Sequence, residues 1–143
     1  MGLEDNFYGE VLLDHNLHPV HRHDLPCATC RTDGVNPSCG DDISLSLEIH
    51  DGIIENGAFT GVGCAVSQAS ADIMLELIIG KTTDEARHLA HLFDKMIRSE
   101  ITESEMEELE EAGALQNVSK MPARVKCAKL GWRTLESLLE ENG

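Results

Sequence analysis

The sequence predicts an α+β domain, an antiparallel hairpin extendable to a small three-stranded sheet and packed with helices. Three observations carry that expectation. Ile43, Leu45, Leu47 and Ile49 alternate with Ser44, Ser46 and Glu48, the period of a strand with one buried face. Asp51-Gly52 supplies a tight turn into a returning strand over Ile53 to Thr60. Apolar residues at helical spacing flank this hairpin on both sides. At 143 residues the chain suits one domain, 1–143, and leaves little room for a second core.

The elements follow in order. Leu3, Phe7, Tyr8, Val11 and Leu12 define a first helix whose pattern fails at His18-Pro19. From His18 to Ser38 the chain is rich in Pro, Asp, Gly and His without periodicity, which predicts an extended loop carrying Cys27 and Cys30. After the hairpin, Gly61-Val62-Gly63 lets the backbone run close to whatever Cys64 holds. Ser67 to Ile79 reads as an apolar helix ended by Gly80, with Cys64 just before its first turn. Capping boxes at Thr82/Glu85 and Thr102/Glu105 announce two more helices, because hydroxyl and carboxylate exchange bonds with unpaired backbone N–H groups. Ala86, Leu89, Phe93, Met96 and Ile97 form the apolar stripe of the first of these. Six glutamates between Glu103 and Glu111 read as a solvated helix face. Pro122 suits the first position of a last helix with Val125, Ala128, Trp132, Leu135 and Leu139 on its buried stripe.

Asp and Glu number 26 against 11 Lys and Arg, for a formal net charge of -15. Such a chain is repelled by phosphate backbones and anionic membrane surfaces, so neither nucleic acid nor membrane is an expected partner. No apolar run approaches a membrane span, and the start Met1-Gly2-Leu3-Glu4-Asp5 has no basic and apolar leader, which makes the cytoplasm the expected location. Five cysteines in that setting argue for thiol or metal chemistry rather than a disulfide framework.

Cys39 lies in a tight Asn36-Pro37-Ser38-Cys39-Gly40-Asp41 segment, Cys64 precedes one helix and Cys127 falls inside another. With Asp41, these three thiols suit a tetrahedral zinc site, and a helix N-terminus near Cys64 favours its thiolate. By spacing alone the same residues fit three buried thiols equally well. The flanking glycines and the Arg124-Val125-Lys126-Cys127 approach, basic in an acidic chain, favour a site built around negative charge. Cys27 and Cys30 are expected to be exposed loop thiols; with His21 and His23 nearby, a second metal site is the alternative. The histidines in general, including His88 and His91, are expected in surface or packing roles.

The segments 36–41, Gly61-Val62-Gly63-Cys64-Ala65-Val66-Ser67-Gln68-Ala69-Ser70 and Arg124-Val125-Lys126-Cys127-Ala128-Lys129-Leu130-Gly131-Trp132 resemble the SufU branch of the IscU/NifU-N family, and Tyr8-Gly9-Glu10-Val11-Leu12-Leu13-Asp14-His15 resembles its opening helix. The likeness covers nearly the whole chain. It implies an α+β domain with a three-stranded sheet, serving iron-sulfur cluster assembly. Lys126, where the scaffold type has His, and the 62 residues between Cys64 and Cys127 point to the SufU type. For that type the resemblance implies Zn²⁺ held by Cys39, Asp41, Cys64 and Cys127. It also implies a zinc-dependent sulfurtransferase in which Cys39 accepts sulfur from a cysteine desulfurase and passes it to a downstream assembly scaffold. Arg124, three residues before Cys127, and Lys126 would offset the negative charge of the ligands. The alternatives are a scaffold binding a [2Fe-2S] cluster at the same residues, and a structural zinc module.

Overall fold

The order of elements is set by where the chain can bury a face. The computed structural model describes residues 3–38 and 40–142, with the side chains of 10–38 and 40–141. Helix α1 spans Leu3–Leu17, followed by strands β1 (Cys30–Asn36), β2 (Asp41–His50) and β3 (Ile53–Val62). Helices α2 (Ala65–Ile78), α3 (Thr83–Ile97) and α4 (Glu103–Glu108), a 3-10 segment over Glu110–Lys120 and helix α5 (Pro122–Asn142) complete the chain.

The sheet is an antiparallel meander in the order β1-β2-β3, as the expected α+β class with three strands requires. Asp51 (φ 53°) and Gly52 (φ 75°) make the β2–β3 turn, where two successive positive φ values match the strand twist. On β2, Ile43, Leu45 and Leu47 are buried, so the alternation read from the sequence marks the covered face. Ile49 is only half-buried, beyond a bulge at Glu48/Ile49.

The third strand was expected, but not at its observed place. The segment read as loop to Ser38 contains β1, paired with β2 from Cys30↔Leu47 to Asn36↔Asp41. The strand carries Cys30-Arg31-Thr32-Asp33-Gly34-Val35-Asn36, which has almost no apolar alternation to read. It is an edge strand held by its ladder and by α5. A Cβ on Gly34 would lie 1.9 Å from Thr134 Oγ1, so the missing side chain that disguises the strand is what lets the helix lie against it.

The core fills the space between the sheet, α2, α3 and α5. Leu45, Phe59, Leu75, Phe93, Trp132 and Leu135 belong to one contiguous buried cluster. The Phe93 and Trp132 rings stack with centroids 4.3 Å apart, and the Trp132 indole N–H donates to Ser70 Oγ at 3.2 Å. Ser70 in turn donates to the Ala128 carbonyl at 2.7 Å, satisfying a buried polar group between α2 and α5. Gly131 brings α5 within contact of the Ala71 backbone, where a Cβ would sit 3.3 Å from Ala71 Cα.

Both capping boxes form, at Thr82/Glu85 and Thr102/Glu105. The second starts only six residues of α-helix before the chain tightens into the 3-10 segment, which buries Ala112, Leu115 and Val118. The acidic run is accordingly more than a solvated face. Glu105 pairs with Lys95 at 2.8 Å and is lowered to about 2, first by the Lys95 ammonium and then by the Thr102 amide. Glu108 meets His88 at 3.0 Å, and Glu111 bonds His15 Nε2. On α1, Val11 and Leu12 pack on the core; the side chains of Leu3, Phe7 and Tyr8 lie outside the described residues. Among the described residues, no helix is long and apolar enough to cross a membrane.

Candidate metal centre

Three elements far apart in sequence meet at the N-terminal end of β2. Asp41 is its first residue, Cys64 is the N-cap of α2, and Cys127 lies one turn into α5. One ligand atom from each falls within 4.8 Å of the others. Asp41 and Cys127 are both 0% exposed and Cys64 is half-buried. Cys39 lies outside the described residues. Its neighbours Ser38 and Gly40 belong to the turn that carries β1 into β2, and Gly40 takes φ +71°, a conformation glycine adopts without strain.

The carboxylate of Asp41 is held from several sides. Its Oδ1 accepts the Cys64 backbone N–H at 2.8 Å and the Ser67 hydroxyl at 3.2 Å. Its Oδ2 accepts from Asn36 Nδ2 at 3.2 Å. The same Asn36 amide donates to Cys127 Sγ at 3.7 Å, so one side chain at the end of β1 orients two members of the group. Asn36 and Ser67 were not singled out from the sequence, although both stand inside the segments that carried the family resemblance. The signal for Ser67 was its place three residues after Cys64, where an N-cap receives its bond.

The local backbone explains the glycines. A Cβ on Gly63 would approach Ser67 Oγ at 2.4 Å and Asp41 Oδ1 at 3.0 Å. Gly61 combines φ +122° with a Cβ position 2.2 Å from the Asp42 carbonyl. Only hydrogen fits at either position, which is how the chain leaving β3 crosses tightly over the start of β2.

Cys64 Sγ accepts the Ser67 N–H at 3.5 Å, so the sulfur stands where a helix normally takes a hydroxyl or carboxylate oxygen. Burial pushes this thiol up, but the Ser67 amide and the bond from Cys127 outweigh it and hold Cys64 below the usual thiol value. The group is therefore a buried carboxylate beside two sulfurs, one of them poised toward thiolate. Once deprotonated, the two sulfurs together with one carboxylate oxygen are the donor types of a tetrahedral zinc site, with one corner left for a further ligand.

Arg124 and Lys126 stand on the first turn of α5, exposed, on either side of Val125 and just before Cys127. Lys126 lines a cleft of about 480 Å³ between β1 and α5, together with Asp33, Asn36, Arg133 and Thr134.

The other thiols and histidines lie elsewhere. Cys27 is exposed and Cys30 half-buried. His21 bonds Glu76 at 2.8 Å and His23 bonds the Asp24 carbonyl at 2.7 Å, so neither histidine turns toward the two cysteines. Of the two expected roles, surface and packing, His15 takes the packing one. It is 7% exposed, with Nδ1 2.6 Å from Asp72 Oδ2 and Nε2 bonded to Glu111.

Comparison with known proteins bears on this geometry. The family model described as the NifU-like N-terminal domain matches residues 7–139. The chain is 39% identical over 134 residues to the iron-sulfur cluster assembly scaffold protein IscU of Thermotoga maritima, covering 94% of this chain and 93% of that one. It is 37% identical over 132 residues to the zinc-dependent sulfurtransferase SufU of Bacillus subtilis, covering 92% and 88%. A crystal structure from Fervidobacterium islandicum, described as an iron-sulfur cluster assembly scaffold protein for the SUF system, superposes with a TM-score of 0.86 at 34% identity, over 96% of this chain and 99% of that one.

Proposed function

The chain belongs to the NifU-like N-terminal domain family, and from that premise we propose that it serves iron-sulfur cluster assembly as a zinc-dependent sulfurtransferase. In this reading it takes persulfide sulfur from a cysteine desulfurase and hands it to a downstream assembly scaffold. The observation that carries the proposal is the convergence of Asp41, Cys64 and Cys127 within 4.8 Å, with the carboxylate wholly buried. Asp41, Cys64 and Cys127 would hold Zn²⁺, with Cys39, two residues before Asp41, as the fourth ligand. Bound zinc supplies a charge that keeps its thiol ligands deprotonated near neutral pH.

Each residue of the chain then has a task. Asn36 and Ser67 fix the carboxylate, the Gly63 backbone leaves room for it, and the start of α2 favours the Cys64 thiolate. Cys39 is the proposed acceptor. Its thiolate attacks the outer sulfur of the partner's persulfide, the sulfur–sulfur bond there breaks, and the partner's cysteine leaves as thiolate while the new persulfide resides on Cys39. Arg124 and Lys126 offset the excess negative charge of the ligands.

The relative from Thermotoga maritima favours a second reading, a scaffold on which a [2Fe-2S] cluster forms at the same residues. One sample distinguishes the two. After anaerobic purification the protein is analysed for metal and then incubated with desulfurase and cysteine. The transfer reading expects zinc, faster alanine production, and added sulfur on the Cys39 peptide by mass spectrometry. A stable coloured cluster with no gain in alanine production would establish the scaffold instead. With Cys39→Ser, sulfur acceptance is expected to vanish while some zinc persists on the other three ligands. Sulfur found on Cys64 or Cys127 with Cys39 unmodified would overturn the acceptor assignment.

A further inference from the structure

The opposite end of β2 carries a second group of donor side chains. Cys27 Sγ lies 3.3 Å from Glu48 Oε1, Glu48 Oε2 lies 3.1 Å from His50 Nε2, and His50 Nε2 lies 3.7 Å from Glu55 Oε1. Ligand atoms of Glu48, His50 and Glu55 all fall within 4.8 Å of one another. We propose that Glu48, His50 and Glu55 form a second, solvent-accessible site for a tetrahedral divalent cation of the zinc class, with Cys27, which touches Glu48 but stands outside that group, drawn in as the fourth ligand.

The spacing and the donor chemistry support this together. With zinc bonds of about 2.0–2.3 Å, adjacent corners of a tetrahedron are about 3.3–3.7 Å apart. The Glu48 Oε2–His50 Nε2 and His50 Nε2–Glu55 Oε1 distances approximate two of those edges, whereas Cys27 meets the other Glu48 oxygen and has to shift to share the ion. One sulfur, one imidazole nitrogen and two carboxylate oxygens are a zinc donor set, whereas calcium and magnesium take oxygen alone.

The local backbone brings these residues to one spot. The ladder pairs Glu48 with Asn56 and Ile49 with Ile54, leaving Glu55 as the extra residue of a β-bulge. A bulge re-aims a side chain relative to regular alternation, and here Glu55 comes to the side of His50. Cys27 is anchored as well. Thr29 donates its N–H to the Leu47 carbonyl at 2.9 Å and accepts the Ile49 N–H on its hydroxyl at 2.9 Å. Leu25, 4% exposed, pins the start of the same turn, and Ala28 N–H closes it onto the Leu25 carbonyl at 3.0 Å. The thiol is thus presented by a turn stitched to β2.

The two ends of the strand are separate sites. Asp41 and Glu48 are seven positions apart along the strand, about 23 Å at the usual rise. His50 and Glu55 side chains are 51% and 53% exposed, so the ion would exchange readily and bind more weakly than in the buried group.

The test titrates the full chain with zinc alone in a calorimeter, with circular dichroism confirming that each variant is folded. Two classes of site are expected, one tight and one weaker. Cys27→Ser and His50→Ala should each weaken the second class at least tenfold and leave the first unchanged. Cys64→Ser combined with Cys127→Ser should do the reverse. With the tight site first filled with zinc, cobalt added to the second class should give a thiolate-to-metal charge-transfer band that Cys27→Ser removes. A single class of site in the unaltered chain, or a second class untouched by both Cys27→Ser and His50→Ala, would overturn the proposal. So would loss of the second class in Cys30→Ser with retention in His50→Ala, which would assign it to the cysteine pair instead.

Discussion

The two ends of β2 present similar donor types in opposite settings. At one end Asp41 is buried, accepts three hydrogen bonds and adjoins the buried Cys127. At the other, Glu48, His50 and Glu55 meet in partial contact with water. The thiols differ in the same sense: Cys64 is held below the usual value by its amide donor despite burial, whereas the Glu48 carboxylate pushes Cys27 up. Burial therefore does two things at once. It makes uncompensated charge costly, so a cation is strongly favoured there, and it fixes the donors before any ion arrives. The exposed donors are already solvated and gain less from an ion.

Graded chelation tests that contrast most directly. A weak chelator should strip the exposed end with little change in melting temperature. A strong one should then empty the buried end with a loss of about 4 kcal/mol, the linkage expected where free metal stands near a thousandfold above its dissociation constant. Thermal unfolding with parallel metal analysis reads both steps, and equal destabilisation at each step would erase the distinction.

Neighbouring carboxylates sharpen it next. Asp41→Ala removes the acceptor of the Cys64 N–H and one of the two acceptors of both the Ser67 hydroxyl and the Asn36 amide, and should cost about 2–3 kcal/mol even without metal. Asp42→Ala, one residue along and exposed, should change stability by under about 0.5 kcal/mol. Urea unfolding of the two metal-free proteins makes the comparison.

Gly63→Ala asks whether the buried end tolerates one methyl group. Its Cβ would overlap Ser67 Oγ at 2.4 Å, so a loss of about 1–3 kcal/mol is expected, together with weaker zinc retention. A variant with unchanged stability and metal content would show that the crossing is looser than its contacts indicate.

The smallest effect belongs to a buried polar contact away from both ends. Burial opposes the charge on His15, but the bonds from Asp72 and Glu111 outweigh it and raise its pKa above 6.5. A folded value above the unfolded one contributes stability that is fully present below about pH 6.5 and is lost as pH rises through the folded value. Denaturant midpoints should fall over that window, and Glu111→Gln should flatten the fall by lowering the midpoint below the window while leaving it similar above. A midpoint that rises instead would show that His15 is buried neutral.

What was legible in the sequence divides along physical lines. The hairpin, both capping boxes and the stripe on α3 are local patterns, and each stands where its period and caps indicated. Strand β1 was not legible because its stability comes from pairing and from contact with α5 at Gly34 rather than from its own side chains. The 3-10 segment was missed although Leu109, Ala112, Leu115 and Val118 recur every three residues, the period of a 3-10 helix rather than of an α-helix. At the candidate centre, residue types and spacing left Asp41, Cys64 and Cys127 as candidates no better than buried thiols and the family resemblance singled them out; folding brings the three together. The tie made by Asn36 to both Asp41 and Cys127 spans 91 residues and leaves no local trace. The group at the other end of β2 escaped because its members become neighbours only through strand register and a bulge.

Asn36, Asp41, Cys64 and Cys127 also bear on the order in which the molecule can acquire its centre. The first three are translated within the opening half of the chain, and the hairpin and α2 that carry them can assemble from nearby segments. Cys127 cannot join until α5 has been made and has packed across both β1 and α2. Contacts of such long range form late, after the entropy of closing the intervening loop has been overcome. During synthesis the emerging chain therefore passes through a stage in which Asp41 and Cys64 are present without Cys127. Docking of α5 is the event that brings Cys127 to the partial donor set, which couples completion of the candidate centre to completion of the fold.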